Sequence, residues 1–484
     1  MHPLPVMDSK LTGNIAEKDS FIVFRNSQGV EVRATLLRLT RYLAIFEVYN
    51  PYSILQMSEV LGEFRIIVND RMIYSGRGVV SNLVNAGILL VCEATLGESW
   101  LDVNLFTPFN QKDKLRDEFV EFIQEWQKIH SVLADYKVVV SDVQNFFIDL
   151  RRWLDQVELS IRSAASGNRL EMEKNVIEEL RNPILPALDT LFGRFEQVSQ
   201  AIEKDLQPLH RSYVKRQLHP QVLCSPFAYR TYRKPLGYAG DYEMVNMILR
   251  DPHEGSTLFA KVLNVWLLEQ PSAKAHRNRV VYLQRHLRGE TERCASHGRK
   301  ARILNLGCGP AMEIQRFMAE DPICDEARIR LLDFNDETLA HTGQILDSLR
   351  VRYQRTIVLE SEKRSVNQIL KDSGRIVQPA PGDQYDFIYC AGLFDYLSDR
   401  ICKRLMNYFY EFLAPGGLLV ATNVDASNPN RNSMEFILEW HLIYRTVAQF
   451  KACKPDAAVD DLTSVIADET RVNIFCEVRK PHAR

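Results

Sequence analysis

Residues suited to chemistry concentrate in the C-terminal half of the chain. Ile303-Leu304-Asn305-Leu306 is a short apolar run that ends in Gly307-Cys308-Gly309, and Met312 to Phe317 then reads as the start of a helix. Without a Cβ, Gly307 and Gly309 let the backbone turn sharply and approach a ligand closely. Pro310-Ala311-Met312 stands where a dinucleotide-binding fingerprint would carry its third glycine. A second run, Ile329 to Leu332, ends in Asp333-Phe334-Asn335-Asp336; Asp333 is there either as a ligand acceptor or as the N-cap of the next helix. Ser365-Val366-Asn367 follows a third run near 356–359, and Cys390-Ala391-Gly392-Leu393 closes a fourth that begins at Tyr385. Beyond a fifth, Leu418 to Asn423, the spacing predicts a helix over 434–445 in which His441 shares a face with Tyr444 and Arg445. The alternative reading of that helix is an amphipathic one burying Phe436, Ile437, Trp440 and Ile443.

From 301 onward strands and helices alternate, which calls for a mainly parallel sheet covered by helices on both faces. The turn Leu413-Ala414-Pro415-Gly416-Gly417 introduces the fifth strand, and Asn473 to Val478 adds a late one. Ligands of such sheets sit beyond the carboxyl ends of the strands, where all these unusual residues fall. Upstream, residues 224–246 mix aromatic, basic and glycine residues without helical or strand period, and read as a lid loop. The same mixture could stack on nucleic acid, although a net charge of −2 gives no global reason to expect it. Helices return from Ser256 to Leu287, with Arg277 and Arg279 just ahead of the glycine strand.

The N-terminal half is organised differently. Phe21 to Phe24, Tyr42 to Val48, Phe64 to Val68 and Gly87 to Val91 are β-branched or aromatic runs separated by Asn-, Gly- and Pro-containing turns, which fits a small β-barrel over 1–110. Residues 111–210 predict a helical hairpin: Leu115, Phe119, Phe122, Trp126, Ile129, Leu133 and Tyr136 recur at helical spacing, and Phe146 to Ile161 continue the stripe. Ser163 to Asn168 breaks it, and Pro183 and Pro186 are expected to kink or divide the second helix. The expected layout is thus multidomain: a barrel, a central helical hairpin that dimerises, a helical lid over 211–300 and an α/β Rossmann-like domain over 301–484.

Apolar content of 46% and charged content of 25% are those of a globular protein, and no apolar run approaches the 18 residues of a membrane span. The start, Met1-His2-Pro3-Leu4-Pro5, lacks the blocks of a signal peptide. Nine cysteines without a C-x-x-C pair suit a reducing cytoplasm and argue against a zinc site.

The glycine turn, Asp333, the Pro415-Gly416-Gly417 turn and the late strand together resemble the class I S-adenosylmethionine-dependent methyltransferases over roughly 275–484. The resemblance implies that Gly307, Cys308 and Gly309 face the amino-acid part of S-adenosylmethionine. It implies that Asp333 accepts from both ribose hydroxyls, with Phe334 beside it and Asp336 as a substitute. Ser365 and Val366 would meet adenine, and Cys390, Ala391 and Gly392 would pass the sulfonium. Tyr238 and Asp241, with Arg230 or Arg233 and Arg279, would serve the cofactor's ammonium and carboxylate. An NAD-dependent oxidoreductase is the rival within the fold.

Two finer resemblances follow. Tyr232-Arg233-Lys234-Pro235-Leu236-Gly237-Tyr238-Ala239-Gly240-Asp241-Tyr242 and Asn430 to Arg445 are similar to bacterial synthases of hydroxy fatty acid methyl esters, which make quorum-sensing signals. That implies a small acyl carboxylate as acceptor, with His441, Tyr444 and Arg445 as substrate-side groups and Trp440 or Tyr396 walling the acyl chain. The strand order around Asn82-x-Val84-x-x-Gly87 resembles the PilZ family, which binds cyclic dinucleotides. Val84 replaces that family's serine and Arg33 and Arg38 are one residue too far apart, so the barrel reads as a docking or regulatory module. A carboxylate is ionised near neutral pH and needs no general base; an alcohol, phenol or amine acceptor would need one, from His441 or Asp395. Carboxyl methyltransferase, protein or other small-molecule methyltransferase, and non-catalytic cofactor sensor are the three functional classes.

Overall fold

The computed structural model describes residues 20–40, 42–49, 55–68, 71–86, 89–97, 120, 132–163, 168–373 and 383–482. The expected helical stripe from Leu115 to Ile129, Gly87 of the PilZ-like motif and most of the 163–168 break lie outside them. The chain packs as two compact units. The first holds 1–224, 232–239 and 432–441; the second holds 225–231, 240–431 and 442–484.

In the first unit, strands β1 (Ser20–Arg25), β2 (Glu31–Leu39), β3 (Leu43–Tyr49), β4 (Val60–Val68), β5 (Arg71–Ala86) and β6 (Leu89–Leu96) close an antiparallel barrel in the order β1-β2-β3-β6-β5-β4. Neither β2 nor β5 is among the strands expected from the sequence. β2 alternates exposed and buried residues along most of its length, as a one-sided strand must. Inward rings of Phe24, Phe46, Phe64 and Tyr74 form the barrel core, with centroids 5.6–6.0 Å apart. Gly78 in β5 admits one of them: a Cβ there would lie 3.0 Å from the Phe64 ring. Val84 is 54% exposed, and the Arg33 guanidinium lies 3.8 Å over the Phe21 ring.

Helices α1 (Ala134–Ser163) and α2 (Arg169–Gln200) form the hairpin, joined by α3 (Gln207–Val222). Tyr136, Val140, Val143, Phe147 and Leu154 of α1 are buried against Ile184, Leu188, Phe192 and Phe195 of α2, whereas Trp153 is 49% exposed. α2 runs unbroken through Pro183 and Pro186, contrary to the expected division. Tertiary packing of one apolar face outweighs the two missing N–H donors.

The second unit holds a seven-stranded sheet: β7 (Ala301–Leu306), β8 (Ala327–Asp333), β9 (Val358–Lys363), β10 (Tyr385–Cys390), β11 (Leu413–Val424), β12 (Thr463–Ala467) and β13 (Asn473–Arg479). Its order is β12-β13-β11-β10-β7-β8-β9, parallel except where β13 runs antiparallel to both β11 and β12. The run Pro415-Gly416-Gly417 lies inside β11 as an irregularity of register, with Gly416 at φ +75°. Chain order reverses between β7 and β10. In open α/β sheets such a switch point is where ligands bind, beyond the carboxyl ends of the strands.

The expected lid loop at 224–246 is largely helical, because α4 (Pro226–Arg233) and α5 (Tyr242–Leu249) occupy both its ends. α6 (Leu258–Leu268) and α7 (Pro271–Ala295) follow, and α7 lies along β7 and β10. No helix of the described residues is long and apolar enough to cross a membrane.

Candidate functional site

The glycine turn leaves β7 at the switch point. Gly307 (φ +68°) and Gly309 (φ +50°) are left-handed, and so is Ala311 (φ +50°), a conformation that costs an alanine about 1 kcal/mol. Gly307 and Cys308 donate their amides to the carbonyl of Leu332 in β8, at 2.8 and 3.2 Å. Gly309 donates to Asp333 Oδ2 at 3.2 Å, and Asn335 donates to Asp333 Oδ1 at 3.1 Å. Asp333 therefore fastens the turn to the end of β8. Helix α9 (Asp336–Arg352) is capped instead by Asn335, whose side chain accepts from the Thr338 amide at 2.9 Å. Burial pushes the Asp333 carboxyl up against the backbone bonds that favour its charge. The Gly309, Asn335 and Phe334 amides and, at 4.0 Å, the weak Cys308 thiol all act on this carboxylate, and as an acceptor-only group it can still take a ligand hydroxyl. Asp336 points to solvent and pairs with Lys363.

Cys390, Ala391 and Gly392 lie at the end of β10, with Gly392 at φ +83° and its amide donating to Thr422 Oγ1 at 2.9 Å. A Cβ on Gly392 would stand 2.9 Å from Arg279 Nη1, so the Arg279 guanidinium of α7 lies against this backbone. Arg279 is 9% exposed and has no ion pair among the described residues; burial lowers its proton affinity, and Asp395 and Glu313 oppose that. Glu313, in the first turn of α8 (Met312–Glu320), is buried, accepts from Tyr389 Oη at 2.7 Å, and has its carboxyl pushed up by desolvation. Asp395 is likewise pushed up by burial, to about 6, and accepts from the Val424 amide at 2.6 Å. Burial holds the thiols of Cys308 and Cys390 well above their ordinary range, which makes them lining groups rather than nucleophiles.

Residues 240–242, within the second unit, meet the ends of its strands. Asp241 caps α5 through the Met244 amide at 2.8 Å and takes both arms of Arg230 at 2.9 Å, so its charge is already matched. Tyr242 donates to Glu337 at 2.8 Å and its ring lies 4.5 Å from that of His341, which sets the start of α5 on the helix following Asp333. A Cβ on Gly240 (φ +75°) would meet Tyr396 Oη at 2.8 Å. Ser365 caps α10 (Val366–Ser373) by exchanging hydrogen bonds with Gln368; Val366 is buried, and Phe334 is half-buried just beyond Asp333.

The predicted helix over 434–445 does not form. α11 (Arg431–Phe436) stops at Phe436, and Glu439 takes φ +51°, a value no right-handed helix contains. His441, like Tyr238, consequently packs in the first unit, and Tyr444 and Arg445 in the second. Arg445 is 1% exposed and spends four of its five N–H groups on Phe394, Leu397, Asp399 and Asn423, which makes it a positioning residue between the ends of β10 and β11. Tyr444 lies under the Arg431 guanidinium at 4.5 Å. Sequence reasoning passed over Glu313 and Thr422. Glu313 one turn from Phe317 and beside Ile314 was a signal for a buried acid; Thr422 carried none.

No family model and no curated protein matches the chain. Among solved structures it is similar to a possible exported protein from Bordetella parapertussis (18% identity, 56% of this chain and 95% of that one, TM-score 0.40). It is also similar to the N-methyltransferase NodS from Bradyrhizobium japonicum in complex with S-adenosylhomocysteine (15%, 52% and 100%, 0.31). A third is magnesium protoporphyrin IX methyltransferase from Synechocystis (8%, 56% and 99%, 0.32). Superpositions this loose do not bear on what the chain binds.

Proposed function

We propose that the second unit is an S-adenosylmethionine-dependent methyltransferase. The observation that carries the reading is Asp333, a buried carboxylate at the end of β8 that also holds the Gly309 amide, one strand from the switch point. S-adenosylmethionine fits the residues present: open space over Gly309, an acceptor carboxylate at Asp333 for the ribose, and for the cofactor's carboxylate Arg279, which has no ion pair among the described residues. When bound, it supplies a methyl group already activated by the sulfonium. Gly307, Gly309 and Asp333 then orient, Ser365 and Val366 bound the adenine side, and Cys390 to Gly392 line the reacting side. Exclusion of water falls to the Gly240–Tyr242 stretch.

For the acceptor, we take the carboxylate of a small acyl compound such as a 3-hydroxy fatty acid, supported by the resemblance of 232–242 and 430–445. Such an anion needs placement rather than deprotonation. Asp395 favours a second reading, in which an alcohol, phenol or amine is methylated with a base whose carboxyl sits at about 6. Dimerisation through the hairpin is also proposed, on the exposed Trp153, Leu159 and Leu170. Incubation with methyl-labelled cofactor and a lipid extract or cell lysate tests the function. Label in a base-labile, solvent-extractable ester supports the acyl reading; base-stable label supports the second; no transfer to any fraction contradicts both.

A further inference from the structure

Cationic side chains from separate stretches of the first unit converge on residues 432–441. Arg77 in β5 and Lys215 in α3 both pair with Glu439, at 2.5 and 2.6 Å, and Arg211 pairs with Glu435 at 3.1 Å. Lys234 is the exception. It is 3% exposed, its Nζ donates to the Leu438 carbonyl at 3.2 Å, and no carboxylate of the described residues lies within ion-pair distance of it. His441, 2% exposed, has an Nε2 without a hydrogen-bond partner, and Arg211 Nε is also buried and unpartnered. Glu93 acts on Arg211, and the charges acting on Lys234 are those of Arg77, Lys215 and Glu439.

The imbalance is one of donors over acceptors. A buried ammonium keeps two N–H groups beyond the one Leu438 receives, and a neutral imidazole and a guanidinium Nε lie in the same cluster. Orphaned buried donors require a partner, and Lys234 and Arg211 Nε share one shape of partner, a compact acceptor carrying negative charge; His441, whose Nδ1 lies 3.9 Å from Glu435 Oε2, turns its unpartnered Nε2 to the same partner as a donor or as an acceptor of the partner's own proton. The backbone is also held out of its easy conformations there, because Lys234 (φ +49°) and Glu439 (φ +51°) are both left-handed without being glycine. Such strain persists where the surroundings over-determine it, and it collects at ligand sites.

We propose that Arg211, Lys234 and His441 form a binding site in the first unit for a small oxyanion, the head of a carboxylate or of a phosphate. The site is independent of the methyltransferase reading and stands or falls without it. Its occupant ties together 232–239 and 432–441, the two stretches in which the chain leaves the second unit and returns to it. Because burial holds Lys234 at about 7, an arriving anion that favours the ammonium draws a proton from solvent above that pH.

Isothermal titration calorimetry of the 484-residue chain at pH 8 tests this with sodium phosphate and sodium acetate, against sodium chloride at matched ionic strength. Saturable binding of one of the two oxyanions is expected, with uptake of about one proton read from the dependence of heat on buffer. Response to phosphate alone assigns a phosphoryl ligand, and response to acetate alone a carboxylate. Lys234→Met should weaken binding at least about 30-fold and abolish the uptake, while Lys234→Arg should bind without it. Heats equal to those of chloride in the unaltered protein overturn the proposal without recourse to any variant. Unchanged binding in a folded Lys234→Met does so as well.

Discussion

The two units gather polar groups in opposite ways. In the second, the carboxylate of Asp333 meets a turn only 24 residues away, and the pair is made by adjacent parallel strands. In the first, Glu439 meets Arg77 from 362 residues away and Lys215 from 224. A turn-and-acid pair can be rebuilt locally by any β-α-β unit, so its residues are set by what they hold. A long-range charged knot depends on the whole unit being folded, and its failure is felt as lost stability. Breaking the Glu439 knot in the first unit should therefore change folding, and breaking the Asp333 pair in the second should change binding.

The largest effect is expected at Glu439. Glu439→Gln leaves the buried Lys215 and the partly buried Arg77 without a counter-charge and should cost about 3 kcal/mol in urea unfolding at pH 7. Its carboxyl is held far below the usual range by Lys215, Arg77 and Lys234, against desolvation. The stabilisation is therefore complete above the free-carboxyl value of 4.5 and fades as pH falls toward the depressed one. A variant as stable as the parent would erase the contrast between the units.

Lys234 sharpens the comparison with the opposite sign. Between pH 7 and the free-lysine value of 10.5 the unfolded chain binds a proton that the folded chain does not, so stability rises with pH. The rise should be on the order of 2–4 kcal/mol and should vanish in Lys234→Met, as read from urea midpoints at pH 7 and 10. The smallest effect belongs to the lid. Gly240→Ala forces a left-handed alanine against Tyr396 Oη and should cost about 1–2 kcal/mol, appearing as a lower urea midpoint together with weaker cofactor binding.

What the sequence revealed follows the same division. Strand, glycine turn and acid lie close together in sequence, so their places at the ends of adjacent strands could be read from pattern; the bond from the Gly309 amide to Asp333 could not. The barrel was legible in kind, but β2 and β5 were not, because Arg33, Arg38, Gly76 and Gly78 interrupt the apolar runs that mark a strand. The 434–445 helix was misread because spacing at three and four is satisfied as well by a segment whose side chains are drawn to different partners. Ser58 Oγ accepts the His441 amide and donates to its carbonyl, while Arg445 is held by the ends of β10 and β11. No local pattern encodes a partner 383 residues away.

The central claim is that the Gly307–Gly309 turn and Asp333 hold S-adenosylmethionine. Calorimetric titration with S-adenosylhomocysteine tests it directly. The unaltered protein should bind one equivalent, and Asp333→Ala, which removes the hydroxyl acceptors and frees the Gly309 amide, should weaken binding by about 100-fold. Absence of binding to the unaltered protein, or equal affinity in Asp333→Ala, would contradict it.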